Sequence, residues 1–243
     1  MSDIMAIVET SIASGLDRLS VISHNLANST NTGYKRDIYI DRGFQKIFTS
    51  AVNNRSHNNL AVESRKTITD MQPGVLKFTG NSLDLAIEGD AYFQVKTKNG
   101  IGYTRNGAFG VDSSGRLITK HGHIIQGIDG DIRINTTTPR IDDSGNIWDR
   151  DKYEGQLALI RFENSESLVK STDGIFFSSN SGRQIDLKQS NQIRQGYLEA
   201  SNVNAMKEMV DLMMVVRQVE ASQKAILGYD QMLETAIRDI AEF

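Results

Sequence analysis

The feature that constrains this chain most is its last forty-odd residues, 201–243, which contain no Pro and only one Gly, Gly228. Apolar side chains recur there at alternating spacings of three and four residues, the heptad pattern of a helix that buries one face against another helix. This row, the heptad seam, comprises Leu212, Val215, Val219, Ser222, Ile226, Tyr229, Leu233, Ala236, Ile240 and Phe243. Such a helix would be about 60 Å long, which is too long to pack wholly on a compact domain, so it needs a partner. Ser201 or Asn202 is expected to cap its start.

The expected partner is the other end of the chain. Residues 3–28 repeat the same spacing with Met5, Val8, Ile12, Gly15, Leu19, Ile22 and Leu26, and a cluster of Asn, Ser, Thr and Gly then ends the predicted helix. We expect Leu19, Ile22 and Leu26 to meet a stripe formed by Ile226, Leu233 and Ile240. The spacing therefore predicts two terminal helices paired as a coiled coil.

The region between the helices has the pattern of β-structure. Residues 37–66 are mixed and polar and predict a long, partly extended connector. From Thr67 onward, short β-rich runs alternate with hairpin dipeptides such as Asn99-Gly100, Ser114-Gly115 and Asp129-Gly130. Strands are predicted at 75–79, 83–87, 92–97, 102–105, 108–111, 116–119, 124–126, 132–134, 157–162, 174–177 and 193–195. The predicted fold class is α+β, with an antiparallel meander, sandwich or open barrel inserted between the helices.

Composition excludes several classes of protein. The net charge is −3, so the charge balance does not by itself attract nucleic acid or an anionic membrane. No run of about 18 apolar residues predicts a transmembrane helix, and Asp3 and Glu9 interrupt the apolar start, so no cleavable signal peptide is expected. Cysteine is absent, which excludes disulfides, thiolate metal sites and Cys nucleophiles.

No motif predicts catalysis, a cofactor or a metal. The glycines around residues 80–107 are not followed by the Lys-Ser or Lys-Thr of a phosphate loop, and no nucleophile elbow nominates a triad. His121 and His123 could share a face of a strand, but no nearby residue completes a metal site. The acidic stretch from Asp142 to Asp151 fails the calcium-loop spacing. Tyr34, Lys35 and Arg36 are expected to anchor the connector against a neighbouring helix through stacking and ion pairs.

Three blocks of residues carry a resemblance to a known family. SGLD at 14–17, SHNLANS at 23–29 and TGYKR at 32–36 resemble the N-terminal signature of bacterial flagellar rod and hook proteins. GNSLDLAIEGDAYFQV at 80–95 and YTRNGAF at 103–109 are similar to the central signature of the rod proteins. GYLEASNVN at 196–204 resembles their C-terminal signature. The blocks span the chain in the family's order; residues 37–79 and 128–192 match less well.

The resemblance implies a structural subunit of the flagellar basal-body rod, not an enzyme, assembling helically into a hollow periplasmic shaft that transmits torque and conducts exported subunits. Within the family the chain looks most similar to the proximal rod proteins, with the distal rod proteins as the alternative. The implied partners are copies of the chain, other axial proteins and the type III export apparatus, without nucleic acid, small-molecule substrate or direct membrane insertion. No cofactor is implied.

The resemblance and the helical pattern together divide the chain into three parts. Residues 1–33 with 197–243 would form the inner-tube domain, 34–66 the connector, and 67–196 the β-rich outer domain. The apolar residues expected at the assembly interface would pack, and the Asn residues would cap backbone groups and set register. These candidates are Leu19, Ile22, Asn25, Leu26, Asn28, Tyr34, Asn202, Val203, Met209, Val210, Arg217, Leu233 and Ile240.

One alternative from a different class stays open on the sequence. An adhesive or carbohydrate-binding β-protein on a coiled-coil stalk would also combine long helices with a β-rich body. Such a protein would need paired carboxylates in a cleft, or a stalk whose two helices do not meet. The separation of the two terminal helices therefore discriminates between these hypotheses.

Overall fold

The computed structural model describes residues 2–40, 66–136, 138–150, 152–163, 165, 168–171, 173–178, 183–184 and 192–241. The chain divides into two compact units. The helical unit contains the described residues within 1–27, 37–68 and 204–243, and the β unit contains those within 28–36 and 69–203. Each unit is therefore built from stretches that are far apart in the sequence.

The helical unit has one helix from each end of the chain. Helix α1 spans Ser2–Ala27 and helix α2 spans Ala205–Ala241, close to the two predicted helices. A two-stranded sheet of β1 (Asp37–Ile40) and β2 (Lys66–Thr69) completes the unit. These strands occupy the two ends of the predicted connector, and residues 41–65 lie outside the described part of the chain.

The start of α2 differs from the expectation. The cap is Asn204, whose side-chain oxygen accepts a hydrogen bond from the backbone N–H of Lys207 at 3.1 Å. Ser201 and Asn202 are not the caps, because their side chains have other partners. The Ser201 hydroxyl accepts from the N–H of Val203, and the Asn202 side chain binds backbone groups of Arg36, Asp70 and Gln72.

The β unit consists of short strands. They are β3 (Leu76–Phe78), β4 (Leu85–Glu88), β5 (Ala91–Thr97), β6 (Gly100–Thr104), β7 (Phe109–Val111), β8 (Leu117–Thr119), β9 (Ile124–Gly127), β10 (Gly130–Asp131), β11 (Arg140–Ile141), β12 (Asn146–Asp149), β13 (Lys152–Gln156), β14 (Leu159–Arg161), β15 (Val169–Lys170), β16 (Phe176–Phe177), β17 (Arg183–Gln184), β18 (Gln192–Gln195) and β19 (Tyr197–Glu199). Their pairings are antiparallel, as the hairpin signals predicted.

The largest sheet has ten strands among the described residues. Its main path runs β15-β16-β6-β5-β9-β8-β7, with β10 beside β9 and with β14 joining β5 to β17. Smaller sheets are formed by β11-β12-β13, by β18-β4 and by β19-β3. The last two pairs join the C-terminal part of the β unit to its beginning, which makes the final strands part of the fold and not an extension of it.

Strand β5 is buried on both faces. Phe93 and Val95 belong to the main apolar core, whereas Tyr92, which points the other way, belongs to a second cluster with Ile160 and Phe176. Alternate side chains of a strand point to opposite faces of the sheet, so β5 separates the two cores. This explains why the first three residues of β5, Ala91, Tyr92 and Phe93, are all apolar and buried.

Two parts of the β unit differ from the predicted pattern. Ile132 and Ile134 are buried, but residues 132–134 contribute only a single bridge, between Arg133 and Arg116. The backbone groups of Ile132 and Ile134 bond to Leu117 and to the Gly115 turn. The strand predicted at 132–134 forms instead two residues earlier in the chain, as β10. The stretch 136–153, for which the sequence pattern predicted no strand, contains β11, β12 and the start of β13. These strands are only two to five residues long, which is too short to show a recognisable alternation of apolar and polar residues.

Candidate assembly interface

The two long helices pack against each other inside the helical unit. Ile22, Val215 and Val219 are buried at this contact. Ile12, Leu19 and Leu212 cover its sides. A Cβ added at Gly15 would lie 2.6 Å from the Cγ2 of Val219, which is too close for any side chain. The helices therefore meet because a glycine on α1 faces a branched residue on α2.

The contact is antiparallel, and its register leaves the end of α2 without α1 beside it. Asn25 lies against Glu208, and Gly15 lies against Val219. Extending this register places the start of α1 near residue 231 of α2. The expected meeting of Leu233 with Leu19, Ile22 and Leu26 is therefore wrong. Those α1 residues lie at the level of Leu212 and Val215, and Leu233 is 37% exposed.

A polar contact joins the two helices where the C-terminal end of α1 lies against the N-terminal end of α2. The side chain of Asn25 is buried and bonds both backbone groups of Asp37, donating to the carbonyl at 2.8 Å and accepting from the N–H at 2.9 Å. Its amide also donates to Glu208 at 3.4 Å. Glu208 is buried in the first turn of α2, where the partial positive charge of a helix N-terminus favours a carboxylate. Asn25 thus joins α1, β1 and α2.

The opposite face of α2 carries an exposed apolar row. At 100° per residue, Met206, Met209, Val210 and Met213 fall within an arc of about 100° that lies away from Val215 and Val219. Their exposed fractions are 78%, 45%, 52% and 53%. We call these four residues the outer stripe. Contiguous apolar surface of this kind marks an interaction site more often than a solvated helix face.

A second group of functional candidates is a buried charge cluster in the β unit. Glu199 accepts from the Lys35 ammonium at 2.6 Å and from Arg105 Nε at 2.8 Å. It also accepts from the backbone N–H of Gly74 at 2.9 Å. The three charged side chains are almost completely buried, at 1% to 4% exposure. Among the described residues, Glu199 is the only carboxylate that pairs with either cation.

Backbone carbonyls complete the cluster. Lys35 donates to the carbonyl of Gln72 at 2.7 Å, and Arg105 donates to those of Gly89 and Ala91. Burial lowers the pKa of Lys35, because desolvation disfavours the ammonium, although the neighbouring Glu199 carboxylate acts in the opposite direction. The cluster joins the segment before the connector to the last strand, so it fastens the two ends of the β unit together.

The motif at residues 32–36 packs against the backbone next to this cluster through Gly33. Gly33 has a positive φ of 67°, and a Cβ there would lie 2.5 Å from the backbone nitrogen of Asn106. Its N–H donates to the carbonyl of Glu199 at 2.8 Å. Glycine is therefore required for both conformation and space.

Residues 34–36 are anchored by the expected types of contact, a cation–π contact and an ion pair, but their described partners are not on the expected helix. The ammonium of Lys170 lies 3.8 Å from the centroid of the Tyr34 ring, and Lys35 pairs with Glu199. The backbone N–H of Arg36 donates to Asn202 at 2.7 Å. These partners come from the β unit and not from a helix, because the chain pairs with β-unit strands before it reaches the connector.

The interface candidates chosen from sequence fall into separate classes. Leu19, Ile22, Asn25 and Asn202 are engaged within their own unit. Met209, Val210, Arg217 and Leu233 are exposed, and Leu26, Asn28, Tyr34 and Val203 are half-buried. Ile240 lies on α2, but its side chain is outside the described part of the chain. Only the exposed class offers a neighbouring molecule a free side chain.

Sequence reasoning did not nominate Arg105, Glu199 and Glu208, although Arg105 and Glu199 stood in motifs already noted. A charged residue is almost never fully buried unless it is paired, and in each of these cases the partner lies far away in the sequence. Arg105 and Glu199 are 94 residues apart, and Asn25 and Glu208 are 183 apart.

The polar groups considered for metal binding have other roles. Asp142 accepts from the backbone N–H groups of Ser144 and Asn146 and from the Asn146 side chain, which shapes a tight turn. The Nε2 of His123 lies 3.6 Å from an Asp173 oxygen. Within the described residues, no three His, Asp or Glu side chains are grouped so as to hold a metal ion.

Neither helix in the described part of the chain is both long and apolar enough to cross a membrane.

Comparison with known proteins identifies two matching family regions. The family described as "Flagellar hook protein FlgE/F/G D1 domain" matches residues 86–148, which include strands of the main sheet. The family described as "Flagellar basal body rod FlgEFG protein C-terminal" matches residues 194–239, which include β19 and most of α2. The matched regions therefore include Arg105 and Glu199 of the charge cluster and all four residues of the outer stripe.

Three full-length relatives support the same assignment. A flagellar basal-body rod protein FlgG of Buchnera aphidicola (subsp. Acyrthosiphon pisum) is 33% identical, covering 90% of this chain and 94% of the relative. The FlgG of Agrobacterium fabrum is 32% identical, covering 97% and 98%. A basal-body rod protein FlgF of Buchnera aphidicola (subsp. Schizaphis graminum) is 30% identical, covering 91% of each. Since identity at this level extends over nearly the whole of both chains, the chain belongs to the flagellar basal-body rod protein family.

Proposed function

We propose that this chain is a structural subunit of the bacterial flagellar basal-body rod, and that α2 is a principal assembly surface. The observation that carries the proposal is the outer stripe. One face of α2 already packs against α1, yet the opposite face presents Met206, Met209, Val210 and Met213 to solvent. A helix with apolar residues on two faces needs two partners, and the chain itself supplies one.

The size of the stripe is sufficient to matter for assembly. Fully burying one Met or Val side chain contributes about 1.5–3 kcal/mol. The four residues are exposed by roughly half or more, so covering them contributes about 3–7 kcal/mol per subunit. Methionine suits a surface that contacts non-identical neighbours, because its flexible side chain can repack.

The proposed assembly is helical. A subunit that uses two different faces to contact its neighbours forms head-to-tail contacts. Where the rotation between neighbours does not close a ring, such contacts extend an axis. In this proposal the helical units line a hollow periplasmic shaft that transmits torque and conducts subunits delivered by the export apparatus. The β units would lie outside it. The partners would be copies of this chain and the neighbouring axial proteins.

We propose domain boundaries that differ slightly from those expected from sequence. The sequence placed the connector at 34–66 and the outer domain at 67–196. Lys35 and Glu199 belong to one buried cluster, and β19 pairs with β3. These contacts support an outer domain that contains residues 28–36 and 69–203, with α1, α2 and the two-stranded sheet as the inner domain.

The position of the subunit along the rod is a separate question. The sequence favoured a proximal rod protein, and this prediction is not confirmed, because relatives named FlgG and FlgF both cover the chain. Of the three relatives described above, the two with the higher identities, 33% and 32% against 30%, are FlgG proteins, which supports the distal type. Expression of this chain in strains that lack either rod protein tests the choice, and restored swimming in the FlgF-deficient strain alone would favour the proximal type.

The adhesive or carbohydrate-binding alternative loses its main support. It required either paired carboxylates in a cleft or two helices that stay apart. The helices pack together through Ile22, Val215 and Val219. A rod subunit accounts for this contact and for the family membership at once.

The proposal is tested by placing a charge on the outer stripe. Val210→Asp changes a side chain that is 52% exposed, so the isolated protein should fold normally. In a rod contact the carboxylate would be buried against apolar groups, which disfavours assembly strongly. We expect soluble, folded protein, basal bodies that lack the complete rod, and loss of swimming in complemented cells.

The matched control is Gln218→Asp, which adds the same charge at an exposed position of α2 outside the stripe. We expect this variant to swim. Normal rods with Val210→Asp would show that the stripe is not an assembly surface. If both variants abolish assembly equally, the effect is a general intolerance of α2 to charge.

A further inference from the structure

The methionines of this chain are concentrated on one helix. Of the eight methionines in the sequence, five lie on α2, and all five are exposed. They are Met206, Met209, Met213, Met214 and Met232, with exposed fractions between 45% and 78%. By contrast, Met71 in the β unit packs against the second apolar cluster. Among the described residues, the exposed sulfur is therefore located mainly on the helix that carries the proposed assembly surface.

These side chains are accessible thioethers in a chain that has no cysteine. A peroxide transfers one oxygen atom to such a sulfur: an S–O bond forms and the O–O bond breaks. The sulfur is oxidised by two electrons, and hydrogen peroxide is reduced to water. The product, methionine sulfoxide, is polar and chiral where the original side chain was flexible and apolar.

We propose that Met206, Met209 and Met213 form an oxidation-sensitive site, at which peroxide converts the free subunit into a form that cannot assemble. This inference rests on the proposed function, because it requires the outer stripe to be buried in the rod. Three sulfoxides on one arc of α2 replace an apolar surface with three strong dipoles, each of which would need a hydrogen-bond partner once buried. Oxidation therefore acts against the contact that the stripe makes.

The susceptibility of these methionines to oxidation depends on whether the subunit is assembled. In a free subunit the sulfur atoms are open to solvent, whereas in an assembled rod the same atoms would be covered by a neighbour. Peroxide therefore reacts with unassembled chains and spares those already incorporated. Enzymatic reduction of the sulfoxide returns the original side chain, so the block is reversible.

The first experiment measures the order of oxidation. The purified full-length chain is treated with increasing hydrogen peroxide, and each methionine-containing peptide is quantified by mass spectrometry. We expect the three stripe methionines to oxidise several-fold faster than Met71. Equal rates at the stripe and at Met71 would overturn the proposal, because accessibility would then not select the site.

The second experiment asks whether sulfoxide is the harmful product. The triple variant with Gln at 206, 209 and 213 places a polar amide of similar length at each position, and the matched variant with Leu keeps the stripe apolar and without sulfur. We expect cells with the Leu variant to build rods, and cells with the Gln variant to build at least tenfold fewer. Peroxide treatment of the free subunit should reduce assembly of the unmodified chain but not of the Leu variant.

The outcomes separate this inference from the proposed function. Normal assembly of the Gln variant, together with failure of Val210→Asp, would leave the stripe as an assembly surface and overturn the oxidation site. Normal assembly of both would overturn the two together. Loss of the peroxide effect after treatment with methionine sulfoxide reductase supports the inference, and persistence of that effect counts against it.

Discussion

Replacement of Glu199 by Gln tests whether the buried charge cluster holds the β unit together. The substitution keeps the size of the side chain and one oxygen acceptor, but it removes the negative charge shared by Lys35 and Arg105. Both cations are almost completely buried, and among the described residues neither has another carboxylate partner. The variant therefore leaves two buried positive charges without a paired carboxylate.

The expected magnitude follows from that arrangement. Removing one partner of a buried ion pair costs about 3–5 kcal/mol, since the remaining charge stays desolvated. A domain of ordinary stability has about 5–15 kcal/mol in total. At roughly 2–4 °C per kcal/mol for a unit of this size, the melting temperature of the β unit should fall by about 6–20 °C.

Thermal and urea unfolding of the full-length chain, followed by circular dichroism in the β region, provides the assay. Glu88→Gln is the matched control, because Glu88 is 57% exposed and its pair with Arg194 lies on the surface. Exposed pairs contribute about 0–1 kcal/mol. A melting temperature for Glu199→Gln that falls no further than that of Glu88→Gln would refute the reasoning.

A double variant identifies the cause of the loss. Lys35→Met removes one of the two stranded cations while keeping a long apolar side chain. Combined with Glu199→Gln, it should restore part of the lost stability, because only Arg105 then remains uncompensated. If the double variant is as unstable as the sum of the two single variants, uncompensated charge is not the origin of the effect.

Two further predictions concern other contacts. Gly15→Val should destabilise the helix pair by about 1–3 kcal/mol, because its Cβ would lie 2.6 Å from the Cγ2 of Val219; helical unfolding monitored by circular dichroism checks this, and an unchanged midpoint relative to the exposed control Ser20→Val would contradict it. Hydrogen bonds from the backbone N–H of Arg116, then from its side chain, lower the pKa of Asp112, so its contribution to stability is present above pH about 4 and is lost as the pH falls through the lowered pKa. Asp112→Asn should therefore flatten the fall of stability in acid, measured by urea unfolding at a series of pH values, and an acid slope identical to that of the unmodified chain would contradict this.

The broad architecture could be predicted because it depends on local patterns. Heptad spacing marked both terminal helices, and Gly-containing dipeptides marked hairpins such as β5–β6 and β7–β8. These signals arise from side-chain periodicity and from backbone conformations that Gly and Asn adopt easily. They need no knowledge of distant partners, and the blocks that identified the family were read in the same way.

The identity of contacting residues could not be predicted in the same way. The heptad seam showed which face of α2 would be buried, but not which part of α1 would lie against it. Only the register through Asn25–Glu208 and Gly15–Val219 showed that α1 ends before it reaches Leu233. Sliding one helix along another preserves the same apolar pattern, so the sequence period alone leaves the register undetermined.

The sequence by itself determined the two terminal helices, the hairpin turns and the antiparallel β-rich region between the helices. Only the tertiary structure decided that Lys35, Arg105 and Glu199 share one buried site, and that the segment before the connector belongs to the β unit. Local structure depends on interactions between near neighbours, whose spacing the sequence displays directly. A buried ion pair depends on residues 94 and 164 positions apart, and folding alone brings them together.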